Sequence, residues 1–480
     1  MCSSADHARC SSAASAWRER DRDAGPDQRA HWCDTMTSKE RLAPALETEG
    51  GLDEASAAEP GRTSTLAALE FRDFRLFWFG LVVSNIGSWM QIYGLGWLVV
   101  QLAIRDGVPQ LAPFYLGLVG LARAIPGLAF GLFGGAVADR ADRRRLLIVT
   151  QISAAIVAFV LALLTITEHI NIVEVVLISA LNSIIFSFDA PTRQAMVPRL
   201  VTDRELMSAI GLNSAAFNGA TLIGPLIGGV LIIPFGVGGL MLINAISYLA
   251  VVAALLVIAP QPSEVRRRLS MLESIREGLA YIRRDPVLRW VVLLTVTTAL
   301  FTRPYIQLLP AEAQFLGVGA LELSWLLAAS GVGALGGALV TASLGGWKRR
   351  GALLVGSALS HGVLLAVFAE QRSVVGAMVF IGLTSFAVMV FLGMANTLMQ
   401  TRTPDHLRGR AMSVHTMVFM GFMPLGQMLL GSLGTVAGIN TAFLAGGLVV
   451  VFVSTFALLR AAALRDAVAS THPRVVARSG

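Results

Sequence analysis

The stretch PFYLGLVGLARAIPGLAFGLFGGAVADRADRRR, residues 113–145, decides how the whole chain is read. Residues 113–137 carry a single charge, Arg123, whereas Asp139, Arg140, Asp142, Arg143, Arg144 and Arg145 crowd the seven positions 139–145. At 1.5 Å per residue, a helix over such a run covers about 37 Å, more than the ~30 Å of a bilayer's hydrocarbon core. A block of charge placed directly after it marks where the helix leaves the membrane.

Runs of the same kind recur near 75–102, 113–137, 146–167, 171–189, 206–233, 238–259, 287–308, 322–345, 351–369, 374–400, 411–436 and 440–462, which makes twelve expected spans. Of the 480 residues 55% are apolar and 14% charged, against roughly 25% charged in a soluble globular protein. The runs are too long and too uniformly apolar for barrel strands, so helices are expected. The formal net charge of +7 lies in short loops between apolar runs, which speaks against nucleic-acid binding. Arg140 to Arg145, Arg193, Arg199, Arg204, Arg266 to Arg268, Arg276, Arg283, Arg284, Arg289, Lys348 to Arg350, Arg402, Arg408 and Arg410 fall on one side; the alternate loops carry Arg105 and Arg372. Basic residues stay on the cytoplasmic face. The expectation is a multi-pass protein of the plasma (inner) membrane with both termini and the long middle loop in the cytoplasm.

Residues 1–70 are polar and aperiodic and read as a disordered cytoplasmic tail, with Met36 as a second plausible start; 463–480 form a second tail. Cys2, Cys10 and Cys33 lie in the first tail, so no disulfide or thiolate metal site is expected in the membrane part. Residues 260–286 read as a cytoplasmic linker. Within it Leu272, Ile275, Leu279 and Ile282 recur at helical spacing between Met271 and Arg284, as in an amphipathic helix lying on the membrane surface or a solvated linker helix.

The two sides of that linker echo each other. Gln194, Pro198 and Arg204 match Gln400, Pro404 and Arg410 at an offset of 206, and Arg143-Arg144-Arg145 matches Lys348-Arg349-Arg350 at 205. The expected fold is therefore an all-α membrane protein of two six-helix halves, 71–259 and 287–462, with a substrate site between them near the midplane.

Motifs sharpen this. Gly127, Gly131 and Gly135 stand at i, i+4 and i+8 and suit a close helix crossing. Gly135, Asp139, Arg140, Arg143 and Arg144 resemble the major facilitator superfamily signature G-x-x-x-D-R-x-G-R-R, with Asp142 where the family prefers Gly. Gly211, Ala220, Gly224, Pro225, Gly228 and Gly229 resemble the superfamily's antiporter motif, which goes with export. Phe71 to Trp78, Phe188 to Gln194, Gly278 to Pro286 and Arg408-Gly409-Arg410 resemble the branch that holds siderophore exporters and macrolide-efflux proteins, and the resemblance runs from about Phe71 to Leu459. It implies a cytoplasmic gate of Gly135, Asp139, Arg140, Arg143, Arg144 and Asp189, in which Asp139 faces the start of span 11. Drug–proton antiporters of the superfamily usually carry an Arg inside span 4; the expected span 171–189 has none, its polar members being Asn182 and Ser183.

Polar groups inside the spans are the candidate substrate or proton site, since an ionised one costs at least ~2.5 kcal/mol at the bilayer centre. These are Asn85 and Gln91 in span 1, Arg123 in span 2, Asn182 in span 4, Arg303 before Pro304 in span 7, and His415 in span 11. For Arg303 both a functional charge and a snorkelling one fit. No Gly-Lys-Ser/Thr loop cradles a nucleotide phosphate and no His/Cys/Asp cluster suggests a metal, so neither cofactor nor metal is expected, nor an enzyme. The reading is a monomeric secondary exporter of a small amphipathic molecule, driven by protons and embedded in lipid. Its alternatives are nutrient uptake by the same fold and a non-transporting receptor or assembly factor.

Overall fold

The computed structural model describes residues 64–258, 271–344, 347 and 349–460, with the side chains of 132, 135–136, 138–140 and 271–274 outside that description. Of the expected tails 1–70 and 463–480 and linker 260–286, residues 1–63, 463–480 and 260–270 lie outside the described residues, whereas Ala67–Glu70, inside the first expected tail, form a 3-10 turn with Ala68 buried.

The helices, in order, are α1 (Arg72–Arg105), α2 (Ala112–Arg140), α3 (Arg143–Ile166), α4 (Ile172–Met196), α5 (Leu206–Val257), α6 (Met271–Arg284), α7 (Pro286–Phe301), α8 (Tyr305–Phe315), α9 (Ala320–Ser343), α10 (Arg350–Ala369), α11 (Val374–Arg402), α12 (Asp405–Ala437) and α13 (Ile439–Arg460). Ten helical stretches among the described residues are long and apolar enough to cross a membrane. Their ends follow local chemistry. The Asp142 carboxylate accepts from the amides of Arg144 and Arg145 and caps α3, which gives the departure from the Gly signature a structural use. Asn171 and Glu174 form a capping box on α4, and Asp285 with Pro286 opens α7.

Three expected boundaries are corrected. Spans 206–233 and 238–259 run on as α5, broken at Gly236, whose φ of 65° and ψ of −178° suit only glycine. The span 287–308 is divided at Thr302 to Pro304 into α7 and α8, because Pro304 has no amide to continue the ladder. The span ending at 189 continues through Pro191 to Met196.

The pairings of helices repeat. α1 packs on α5, α2 on α4, α3 on α4 and α3 on α5; then α7 packs on α12, α9 on α11, α10 on α11 and α10 on α13. Two further seams, α2 against α12 and α5 against α9, join the first set to the second. α6 lies against the second set rather than free: its Glu277 pairs with Arg410, the Tyr281 hydroxyl donates to the Arg402 carbonyl at 2.9 Å, and Asp285 stands 3.6 Å from Arg402. Burial first, and the Asp285 carboxylate second, push the Tyr281 phenol up against a smaller pull from Arg402.

Packing differs between the two ends. At the end away from the arginine-rich loops one apolar cluster passes through both sets, from Met90 and Leu116 to Leu309, Leu326, Leu430 and Phe443. At the arginine-rich end the core divides. Phe74, Phe77, Leu147, Met196 and Leu255 form one cluster, and Leu288, Leu354, Ala395, Met399 and Val414 another. Glycines report the same thing. A Cβ on Gly117, Gly120, Gly431 or Gly434 would press on a neighbouring element, whereas one on Gly131, Gly211, Gly219, Gly409 or Gly421 would meet nothing within 4 Å. The molecule is sealed at the far end and parted at the arginine-rich end.

Candidate functional site

A cavity of about 270 Å³ lies among the first set of helices. Asn85, Ser88, Gln91, Arg123, Asn182, Asp189, Arg193, Asn244 and Tyr248 supply its polar wall, and Trp89, Ile92, Ile178, Phe186 and Phe217 its apolar one. From the second set, Gln307 of α8 reaches it.

Asp189 is the centre of its hydrogen bonding and is 3% exposed. The Arg193 guanidinium, one helical turn along α4, donates to one carboxylate oxygen at 2.5 Å. Thr150 and Gln151 of α3 donate to the other at 3.0 and 2.6 Å. Arg193 also donates to the Asn85 side-chain oxygen on α1 at 3.1 Å, so three helices meet on one ion pair. A buried pair persists only when its remaining lone pairs and protons are satisfied, as the carboxylate is here. Nearby, Asn244 donates to Gln91 at 2.6 Å and Ser88 to the Tyr248 hydroxyl at 3.2 Å.

The corresponding place in the second set of helices holds no ion pair. At the repeat offset of 206, Asp189 and Arg193 of α4 correspond to Ala395 and Met399 of α11, and both of those sit fully buried in apolar core. The same helix place is filled once by hydrocarbon and once by charge.

Arg123 is set by the seam between α2 and α4. The Ser183 hydroxyl donates to the Arg123 carbonyl, and a Cβ on Gly127 would meet the Ser183 oxygen. Further along, Gly134 lies against the Ser187 carbonyl, so closely that a Cβ would overlap it. Pro191 lacks the amide that would bond that carbonyl, which leaves it free to face another helix. The expected face of Gly127, Gly131 and Gly135 is thereby corrected at Gly131, Gly135 lying outside the described side chains. Seven residues turn a helix by nearly two full circles, so Gly134 follows Gly127 on the seam, while Gly131 is turned away to open space.

The other sequence candidates fall into two groups. Asn85, Gln91, Arg123 and Asn182 share the cavity, and Asp189, expected as a gate residue at the end of span 4, lines it as well. His415 and Arg303 are not among its lining residues. His415 is buried between α12 and α7, with Nε2 3.2 Å from the Thr295 hydroxyl, because its face of α12 turns into the second bundle. Arg303 occupies the break between α7 and α8, where its Nε is buried without a hydrogen-bond partner among the described residues. In the antiporter-type motif, Gly224 and Gly228 abut α1, Gly229 abuts Ser324 of α9, Pro225 is buried, and Gly211 faces open space. Of the gate residues, the side chains of Gly135, Asp139 and Arg140 lie outside the described residues. Arg144 donates to the carbonyls of Leu255 and Leu256 at 2.6 and 3.0 Å, closing the end of α5, and the Arg143 Nε has no partner among the described residues. Sequence reading left out Arg193, Thr150, Gln151, Asn244 and Tyr248. The i, i+4 spacing of Asp189 and Arg193 was the available signal, and Pro191 between them masked it as a helix end.

Residues 63–476 match a family model described as transmembrane secretion effector. The chain is 27% identical to the multidrug efflux pump Tap of Mycolicibacterium fortuitum, over 77% of this chain and 91% of that protein. It is 26% identical to the enterobactin exporter EntS of Shigella boydii, over 82% and 94%, and 24% identical to the staphyloferrin A transporter of Staphylococcus aureus, over 75% and 88%. Among solved structures it resembles the bacterial homolog of the human lysosomal transporter Spinster, inward-facing and unoccupied. The TM-score is 0.60 at 14% identity, over 82% of this chain and 96% of that one. It resembles the inward-open xylose transporter XylE from E. coli with a TM-score of 0.60 at 12% identity, over 80% and 94%.

Proposed function

The chain belongs to the transmembrane secretion effector family of the major facilitator superfamily, and on that premise we propose that it exports a small amphipathic molecule, a drug or siderophore-like metabolite, by proton-coupled alternating access. The observation that carries this reading is the polar cavity built on Asp189 and Arg193, set in a bundle sealed at one end and parted at the other.

Several features support the finer reading. The 34-residue α1 is long enough to cross although Asn85, Ser88 and Gln91 interrupt it. α5, at 52 residues, would extend about 78 Å unbroken, so its Gly236 break makes two crossings of it. With the other membrane-length helices these make twelve passes. The recurrence of helix pairings across the linker fits two six-helix halves, 71–259 and 287–462, and the two joining seams fit an interface between them. The arginine-rich end is then cytoplasmic, and the parted conformation faces the cell interior. Asp189 is the one carboxylate among the described lining residues and is the proposed proton acceptor. Asp139 and Arg143 are the proposed cytoplasmic gate, closing on the start of α12 when that end shuts, with the free amides of a helix N-terminus receiving the carboxylate.

The test is overexpression and deletion in a host lacking its main efflux systems, read by tolerance to a compound panel and by extracellular metabolite profiling. Export requires lower intracellular accumulation of at least one compound, reversed by a protonophore and by Asp189→Asn at matched expression. Raised accumulation means uptake instead, and no change for any compound removes the transport reading.

A further inference from the structure

The cavity's charges do not balance. Its described lining residues include three charged side chains, Arg123, Arg193 and Asp189, and the last two neutralise each other at 2.5 Å. Arg123 remains. It stands eleven residues into α2, about 17 Å along the helix and so near the middle of the span. Its guanidinium has neither a hydrogen bond nor an ion pair among the described residues, and arginine keeps its charge in proteins. An unpaired charge at that depth is costly unless something compensates it. Sharing the lining with it are neutral groups, among them Tyr248 and Asn182, and the aromatic side chains Trp89 and Phe217.

From this we infer that the cavity takes an amphipathic organic anion, with a carboxylate or similar oxyanion on Arg123 and an apolar or aromatic body against Trp89 and Phe217. The inference rests on the export reading and narrows it to one charge class. A guanidinium forks onto a carboxylate through two parallel hydrogen bonds, which an uncharged compound cannot match. A cation in the same place would meet Arg123 with only one acid nearby, and that acid already accepts from Arg193, Thr150 and Gln151. Direction agrees: a cell interior held negative drives an anion outward, so the same charge that selects the substrate assists its expulsion.

Three probes that share a dansyl body and differ in charge test this: N-dansylglycine, its primary amide, and the dansyl derivative of ethylenediamine. They are titrated against the full-length protein in nanodiscs, reading energy transfer from tryptophan, with Trp89→Phe identifying the signal that comes from the cavity. The anion is expected to bind about tenfold more tightly than the amide, the difference one charge-assisted hydrogen-bond pair supplies, and the amine more weakly than either. Arg123→Gln should erase the anion's advantage and leave the amide's affinity unchanged, while Arg123→Lys retains part of it. Equal binding of the three by the unmodified protein, or tighter binding of the amine, overturns the inference without need of any variant. Anion preference that persists in a folded Arg123→Gln protein also overturns it. Efflux of the probes from loaded vesicles is scored separately: binding preference without efflux sinks the exporter reading and leaves the charge assignment standing.

Discussion

Asp189 and Arg193 stand where the repeat carries Ala395 and Met399, and the molecule thereby contains its own control. Asp189→Ala alone strands the Arg193 charge in a buried site and is expected to cost about 3–5 kcal/mol. The double change Asp189→Ala with Arg193→Met copies the other half and removes both charges. Replacing a buried pair by apolar groups of similar volume is often neutral or stabilising by about 1–4 kcal/mol. The double variant should therefore melt above the single one in detergent while exporting nothing. A double variant that melts as low as the single one would make the pair a structural necessity; one that still exports would separate it from transport. The distinction matters because burial and hydrogen bonding alone, however complete around Asp189, do not tell a brace from a site.

Among the elements, α2 makes two seams at successive levels along its length. Its first half carries Gly117 and Gly120 into the α12 seam, and its second half carries Gly127 and Gly134 into α4. Gly134 has no room for a side chain, since the carbonyl of Ser187, whose usual helical donor Pro191 lacks, stands there. Gly134→Ala is expected to force α2 and α4 apart at about 1–3 kcal/mol, the usual cost of overpacking. Gly131→Ala, three residues away and facing open space, should leave the melting temperature unchanged or slightly raised. Thermal shift of the two purified variants measures both, and equal losses would refute the assignment of the seam. α6 shows a similar division, with its apolar side buried on the second bundle and its Glu277 and Tyr281 holding α12 and α11.

Taken whole, the molecule joins its two sets of helices at one end through a continuous apolar cluster, and at the other the core divides between them. Two such states must lie within a few kcal/mol of each other for a transporter to cycle, and a gate coupling of about 1–3 kcal/mol sets their balance. If Asp139 helps shut the arginine-rich end, Asp139→Asn should weaken the shut state and slow export. Cysteines introduced by Gly131→Cys and Gly421→Cys, after replacement of Cys2, Cys10 and Cys33, report that end directly. Their labelling by a membrane-impermeant maleimide in inside-out vesicles should rise about two- to fivefold with Asp139→Asn, as expected for a shift of roughly 0.5–1 kcal/mol. Unchanged labelling together with unchanged export would reduce Asp139 and its arginines to a topology signal.

The long apolar runs, the arginines confined to alternate loops and the ordered Gly, Asp and Arg positions after residue 134 were enough to establish a helical membrane protein and its superfamily. Each of these is a property of consecutive residues: bilayer thickness sets a span's length, and loop charge sets its sidedness. Asn85, Gln91, Arg123 and Asn182 were legible as site candidates for the same reason, being polar where hydrocarbon was due, whereas Asp189 was expected at the cytoplasmic gate. The role of Arg193 was not, because Pro191 reads locally as a helix end, whereas α4 runs through it, with Gly134 of another helix packed on the Ser187 carbonyl. Nor could sequence place His415 and Arg303 away from the cavity or leave Arg123 unpaired within it. Which face of a helix meets which neighbour depends on how the bundles pack, and that is settled by contacts among residues far apart in the chain.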